Sequence, residues 1–261
     1  MRFKIDFSIL GEKPYVLPVN YQQEFSAWIH KMLHFENPGF NKWITSKGYT
    51  DQQGEYQLYT FSDVHFPEIK HHEDRIILEK NNAGMLISFY AKEGIEGFIP
   101  EIFKGKEFKI GDSKSKVAFR IENMERASDP DLTKNEIRFR AVSPLLISDP
   151  GRNDGLFLNP DQKDFENVFF KSLMFKYANL VKFMHGANAS ELSGLQDLRF
   201  SLLSKPKSKI IKIKTDTPHQ KSVKGYLFDF SVKAPEVLLA IGYHAGFGDL
   251  NNLGFGCCET I

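Results

Sequence analysis

The order of hydrophobic periods repeats in the two halves of the chain, and this repetition limits the fold more than any other feature. In the first half, apolar and polar residues alternate over 2–9, which predicts a strand with one buried face. From 22 to 35 the apolar residues return at helical spacing, and the Pro38 turn ends that helix. This half also contains predicted strands at 57–62, 75–79, 85–89 and 116–123 and a short helix at 95–103.

The second half follows the same order. It opens with a predicted strand over 136–147 and a helix that has Pro160 as its first residue. The other predicted elements are paired strands at 199–203 and 210–214, a strand at 225–232, a helix at 235–244 and a final strand after Gly254. Turn residues at 127–135 predict a linker. We therefore expect an α+β chain of two tandem ferredoxin-like (βαββαβ) domains, 1–128 and 129–261.

Composition narrows the classes of function. The 261 residues carry a net charge of only +1, so a nucleic-acid site would have to be a local basic patch. No apolar run approaches the roughly 20 residues of a membrane helix, and the N-terminal pattern is not that of a signal peptide. These features predict a soluble, cytoplasmic protein with no membrane partner. Cys257 and Cys258 are neighbours, which favours reduced thiols over a disulfide.

A glycine-rich segment, Gly246–Gly256, lies close to the last strand and contains four glycines in eleven positions. Glycine lets the backbone approach a ligand closely, and consecutive amides in a turn form a concavity that binds anions. The spacing excludes two common nucleotide loops, because Asn251 stands where a dinucleotide motif needs glycine and no Gly-Lys-Ser/Thr follows. The alternatives are a phosphate-binding loop and a simple turn before the final strand.

In full, this segment resembles the C-terminal signature of the repeat-associated RNA-binding (RAMP) superfamily of CRISPR systems. Within that superfamily the chain is most similar to the sixth Cas family, the endoribonucleases that cut CRISPR repeat transcripts into guide RNAs. Other parts of the chain resemble this family in order and spacing: Met1–Ile5, Leu17–Tyr21, Ser26–Ile29, Tyr59–Asp63 and Ser143–Leu146. The resemblance therefore covers nearly the whole chain.

The resemblance implies a metal-independent endoribonuclease without a cofactor. The ribose 2′-OH would attack the adjacent phosphate and leave a 2′,3′-cyclic phosphate and a 5′-OH. CRISPR repeat RNA is the implied partner, with other Cas proteins of an RNA-guided complex and a second copy of the chain left open. Two other functions also stay open: a catalytically inactive RNA-binding subunit with the same fold, and a ferredoxin-like protein that binds a small anion.

The candidate catalytic residues lie on and behind the first helix. His30 and His34 are i, i+4 neighbours on the side opposite the predicted core face, and histidine can act as acid or base near neutral pH. Lys31 or Lys47 could stabilise the charge of the transition state. The family's catalytic residues come from this region, but Thr45 or a neighbour stands where several members have a histidine. The histidine pair also fits an ordinary solvated helix face.

The candidate RNA-binding residues form two groups. A predicted hairpin around 204–208 is flanked by lysines that could contact phosphates or simply protect a strand edge: Lys205, Lys207, Lys209, Lys212 and Lys214. The second group belongs to the glycine-rich segment: Gly246, Gly248, Asn251, Asn252, Gly254 and Gly256. Many family members have a basic residue between these glycines, whereas this chain has Asp249, so the segment could instead pack against the first domain. No spacing matches a zinc site, and we predict no metal.

Overall fold

A computed structural model gives the fold. It describes residues 1–34, 49–51, 54–56, 58–90, 97–148, 157–185, 197–213 and 220–261. The chain has a mixed α/β architecture in which every strand pair is antiparallel. No helix in these ranges is both long and apolar enough to span a membrane.

The strands and helices of the first half are β1 (Arg2–Leu10), β2 (Tyr15–Pro18), α1 (Gln22–His34), β3 (Tyr49–Asp51), β4 (Gly54–Tyr56), β5 (Tyr59–Phe61), β6 (Ile69–His72), β7 (Arg75–Leu78), β8 (Asn82–Phe89), α2 (Phe98–Phe103), β9 (Glu107–Gly111) and β10 (Lys116–Ala127). Those of the second half are β11 (Glu136–Ala141), α3 (Phe165–His185), β12 (Arg199–Leu202), β13 (Lys207–Ile213), β14 (Lys221–Leu227), β15 (Asp229–Lys233), α4 (Glu236–Ala245), a 3-10 turn (Asn251–Leu253) and β16 (Cys258–Thr260).

The first half is built on a five-stranded sheet in the order β5-β8-β1-β10-β9. Alternate residues of β1 are buried, as the sequence predicts, and Phe7 packs edge-on against Phe25 of α1 with ring centroids 6.1 Å apart. Helices α1 and α2 contribute to this core. Burying one such aromatic or aliphatic side chain stabilises the fold by about 1.5–3 kcal/mol.

The second half is built on a four-stranded sheet in the order β12-β15-β11-β16. Its four strands have the same relative order as β5, β8, β1 and β10 of the first sheet. Helices α3 and α4 pack on it through apolar side chains. Phe247 of the glycine-rich segment belongs to this core, stacked 5.6 Å from Phe169 of α3. The glycine-rich segment is thus anchored in the second core.

Two predictions about the second half are wrong. Strand β12 does not pair with the next strand along the chain: it pairs with β15, while β13 pairs with β14 in a separate two-stranded hairpin. Phe200 of β12 is half-buried and packs on Phe169 of the second core, a contact that β12 makes as part of the main sheet. Helix α3 begins at Phe165 rather than Pro160, because turn hydrogen bonds at Asn159 and Gln162 precede it.

A further three-stranded sheet, β2-β7-β6, was not expected. The patterns at 75–79 and 85–89 therefore belong to different sheets, since β7 lies in this small sheet and β8 in the main one. The small sheet still shares the first core, because Leu17 of β2 and Ile76 of β7 are buried there.

Arg2 connects the two halves. Its side chain is only 2% exposed, and its guanidinium donates to the backbone oxygens of Cys258 (2.6 Å) and Tyr243 (2.7 Å) in the second half. The guanidinium also lies 3.8 Å from the centroid of the Tyr243 ring. A buried charge is tolerated only when such partners replace water, so this contact fixes β1 against α4 and β16.

Candidate active site

A groove of about 310 Å³ lies where α1, β13 and the glycine-rich segment meet. Its lining residues are Gln22, Gln23, Ser26, Ala27, His30, Ile211, Ile213, Asn252, Leu253 and Phe255. Four of these are apolar residues of the second half, and five lie on α1. The groove therefore brings one predicted catalytic residue, His30, next to one predicted RNA-binding residue, Asn252.

The four candidate catalytic residues differ in how far the structure describes them. His30 is half-buried in the groove, and Lys31 is exposed at the next position of α1. His34 is the last residue of α1, but its side chain lies outside the described part of the chain. Lys47 and Thr45 also lie outside the described residues. The roles assigned to these residues stay predictions.

The glycine-rich segment touches α1 directly. Gln22 Nε2 donates to the Gly254 oxygen at 2.5 Å, and Ser26 Oγ donates to the Asn252 oxygen at 3.1 Å. On the neighbouring strand β5, Thr60 Oγ1 donates to the Phe255 oxygen at 2.9 Å. The segment therefore offers carbonyl oxygens to the first half, and these three bonds fix one wall of the groove against α1 and β5.

The glycines of the segment are required by its packing. Gly246, Gly248, Gly254 and Gly256 are buried with φ between 71° and 96°, a left-handed region that favours glycine. A Cβ on Gly256 would lie 1.9 Å from the Phe247 oxygen. A side chain at these positions would therefore combine backbone strain with steric overlap.

Several backbone amides of the segment are bonded to protein carbonyls rather than open to an anion. Gly256 N donates to the Pro144 oxygen at 2.9 Å, and Phe247 N donates to the Gly256 oxygen at 2.9 Å. The amides of Asp249 and Gly254 are likewise bonded to protein carbonyls. This geometry favours a segment that packs against the first half over a phosphate-binding loop. Asn252 of the segment is half-exposed and lines the groove.

Lys176 of α3 forms hydrogen bonds to the glycine-rich segment. The sequence did not identify it as a residue of the site. Its Nζ donates to the oxygens of Gly246 and Gly248 and to Asn251 Oδ1, each at 2.6 Å. Burial lowers the pKa of Lys176 to about 8, opposed by the charge of Asp249. The helical spacing could have indicated that Lys176 is buried, because it follows Phe169 by seven positions and so falls on the apolar face of α3.

Asn251 and Asp249 complete this internal network. Asn251 is 7% exposed, and its Nδ2 donates to the oxygens of Phe247 and Phe255 at 3.1 and 2.9 Å. Asp249 Oδ2 accepts from the backbone N and the Oγ of Ser148 at 2.7 and 2.6 Å. The Asp249 carboxylate, found where a basic residue was expected, thus fastens the segment to the chain before α3.

The β13–β14 hairpin is fixed to the first half by two polar contacts. Asn20 Nδ2 donates to the Lys212 oxygen at 2.6 Å, and Lys212 N donates to Asn20 Oδ1 at 2.9 Å. Lys209 forms an ion pair with Asp63 at 2.5 Å. Burial raises the pKa of Asp63, and Lys209 opposes that shift. Lys209 therefore has a structural partner, which was not expected of an RNA-binding residue.

The other lysines of the hairpin group lie on the surface. Lys205, Lys207 and Lys212 are exposed, and Lys214 lies outside the described residues. Lys224 of β14 is also exposed and stands opposite Ile210, which is 66% exposed. Opposed residues of an antiparallel pair share a face, so the outer face of the hairpin carries two lysines, Lys212 and Lys224. Within the described ranges, no three His, Cys, Asp or Glu side chains are grouped as a metal site.

This fold is that of Cas6-related proteins. It resembles the solved structure from a study of a Cas6-related gene of Pyrococcus furiosus, with a TM-score of 0.77 and 25% identity over 100% of this chain and 98% of that one. It also resembles a RAMP protein that binds different RNA substrates, with a TM-score of 0.74 and 22% identity over 100% and 99% of the two chains.

The family follows from the sequence comparisons. A family model of the C-terminal part of CRISPR-associated protein Cas6 matches residues 124–260. A CRISPR-associated endoribonuclease-like protein Cas6 of Pyrococcus furiosus is 26% identical over 100% of this chain and 99% of its own length. The CRISPR-associated endoribonuclease Cas6 1 of Methanocaldococcus jannaschii is 22% identical over 99% and 92%. The chain belongs to the Cas6 family.

Proposed function

We propose that this protein is a metal-independent endoribonuclease that cuts CRISPR repeat RNA into guide RNAs. The observation that supports this most directly is the position of His30, which lies in a groove between α1 and the basic hairpin in a chain of the Cas6 family. Relatives over the whole chain are named as endoribonucleases or endoribonuclease-like proteins. A groove that joins a histidine to a basic surface suits acid–base chemistry on a polyanion.

In the proposed reaction the ribose 2′-OH attacks the adjacent phosphorus and the bond to the 5′-oxygen breaks. His30 takes the 2′ proton or protonates the departing 5′-oxygen, and His34 performs the other transfer. Lys31 or Lys47 stabilises the additional negative charge on the phosphate oxygens. The products are a 2′,3′-cyclic phosphate and a 5′-OH, and the number of protons balances without a metal ion.

We also propose a domain organisation and an RNA-binding surface. The equal strand order of the two main sheets supports tandem ferredoxin-like domains at 1–128 and 129–261. The exposed lysines of the hairpin group, with Asn252 at the groove, are proposed to contact the repeat RNA. Other Cas proteins and a second copy of the chain stay predictions as partners.

A catalytically inactive RNA-binding subunit is the second candidate. The sequence favours it in one respect, because no histidine occurs between His34 and His65, the region where several family members carry one. This candidate predicts the same surface and the same affinity for repeat RNA. It differs only in the absence of cleavage.

The test is cleavage of a repeat RNA from the source genome in excess EDTA, beside a repeat with a 2′-deoxyribose at the cut. The wild type should cut the first RNA and not the second. His30→Ala should lower the rate by roughly 100-fold or more, as removal of a general acid or base does, with little change in affinity. His71→Ala, at an exposed histidine of β6, is the matched control. Tight binding by the wild type without cleavage would establish the second candidate instead.

A further inference from the structure

The walls of the groove are mainly apolar. Ile211 and Ile213 of β13 form one side, and Leu253 and Phe255 lie beside them. The α1 side is open at Ala27, an exposed residue with a small side chain. Acid–base chemistry alone does not require such walls, since proton transfer and phosphate binding are performed by polar groups. An apolar concavity with a few polar groups is typical of a site for a small organic ligand.

The surroundings of the groove are basic. Lys31 is exposed on α1, one turn after Ala27. Lys221 of β14 stands opposite Ile213 and is exposed on the same face of the hairpin. A ligand that fits both features has an apolar planar part and carries negative charge beside it. A nucleotide within an RNA strand meets both conditions.

We propose that the groove holds one unstacked nucleobase of the bound RNA, next to the phosphate on which His30 acts; this inference rests on the proposed function. The volume of about 310 Å³ is at the lower end of the roughly 300–1,000 Å³ of small-molecule pockets, so it suits a single base and excludes a base-paired stem. The base lies between Ala27 and the isoleucines, and its phosphates face the lysines. The RNA must therefore be unpaired at that nucleotide.

The polar residues of the groove add the means to select the base. Gln23 and Asn252 both line it, one on α1 and one on the glycine-rich segment. Each amide group carries both a donor and an acceptor, which is the chemistry that reads the edge of a base. Holding the base between two rigid elements would also fix the neighbouring ribose, which orients its 2′-OH for attack.

The test combines a variant that fills the groove with RNAs that lack one base. Ala27→Trp places a large side chain in the groove at an exposed helix position, where the fold tolerates it. Glu101→Trp adds the same side chain to an exposed position of α2 outside the groove and is the matched control. The RNAs are repeat RNAs made uncleavable by a 2′-deoxyribose at the cut, each with a single abasic nucleotide at successive positions around it. Dissociation constants are measured for every pair.

For wild type and Glu101→Trp, one abasic position should weaken binding by roughly 10- to 100-fold, the range expected when one apolar ring is no longer buried. Ala27→Trp should bind intact RNA more weakly by a similar factor, and its penalty at that abasic position should fall below about twofold, because the base no longer enters. The inference is overturned if Ala27→Trp binds intact RNA as the wild type does, or if its abasic penalty is undiminished. Failure of the wild type to bind any repeat RNA would instead refute the proposed function.

Discussion

Replacing Lys176 by methionine removes the buried ammonium that contacts the glycine-rich segment while keeping a side chain of similar length. Three oxygens lose their donor, two on the backbone of the segment and one on Asn251. Each is 2.6 Å from Nζ, so no solvent separates them from the ammonium. Methionine fills the space but donates no hydrogen bond.

The size of the effect follows from two opposing terms. Hydrogen bonds to a charged group contribute about 1.5–3 kcal/mol each, so three of them give a gross loss of about 4.5–9 kcal/mol. Burial of the charge costs about 3.5 kcal/mol, since the pKa is lowered from 10.5 to about 8 and each pKa unit corresponds to about 1.4 kcal/mol. Removing the lysine also removes this cost of burial. The variant should therefore be less stable by about 3 kcal/mol, with a range of about 1–5.5 kcal/mol.

The same pKa shift sets a pH dependence. Between about pH 8 and 10.5 the unfolded chain keeps the Lys176 proton while the folded protein loses it. The unfolded state then binds more protons, so the contribution of Lys176 to the free energy of unfolding rises with pH in this window and is flat below it. The difference between wild type and Lys176→Met should widen from pH 8 to 10.5, because methionine does not titrate.

The measurement is urea unfolding of both proteins at several pH values. Lys171→Met is the matched control, because Lys171 lies on the same helix but is exposed, and it should change the free energy of unfolding by less than about 0.5 kcal/mol. A Lys176→Met protein within about 0.5 kcal/mol of the wild type at pH 7 would refute the reasoning. A constant difference across the alkaline window would refute the pKa assignment alone.

Two further predictions concern stability. Arg2→Met should lower the free energy of unfolding by about 2–4 kcal/mol in a denaturant titration, because two buried carbonyl oxygens lose a charged donor; an unchanged midpoint would contradict the contact between the halves. Gly256→Ala should cost more than Gly11→Ala in a thermal melt. Both glycines have positive φ, which costs an alanine about 1–2 kcal/mol. A Cβ meets nothing within 4 Å at Gly11, but it overlaps the Phe247 oxygen at Gly256. Equal melting temperatures of the two variants would mean that this overlap is relieved at little cost.

Local patterns predicted the elements better than their partners. The alternation in β1 and the helical period of α1 depend on neighbouring residues, and both elements lie where the sequence placed them. Strand pairing depends on distant residues: the partner of β12 is β15, which follows the entire β13–β14 hairpin. No local signal distinguishes that partner from the adjacent strand. The contact of the half-buried Phe200 with Phe169 accompanies this pairing, and it is a property of the folded chain.

The candidate site was predictable to a similar degree. The position of His30 on the non-core side of α1 follows from helical spacing, and the groove contains it. The glycine-rich segment was recognisable, but its chemistry was not, because whether an amide is open or bonded depends on contacts with Pro144 and Leu146. Lys209 illustrates the same limit, since its pairing with Asp63 joins residues from different halves.

The bond from Gln22 to Gly254 has a consequence for how the protein folds. Its two residues are 232 positions apart, so one wall of the groove is completed only when nearly the whole chain has been synthesised. Contacts between such distant residues form slowly, because a large loop must close first. A nascent chain that already contains α1 and the first sheet would still lack the groove. The groove should therefore be among the last features to form.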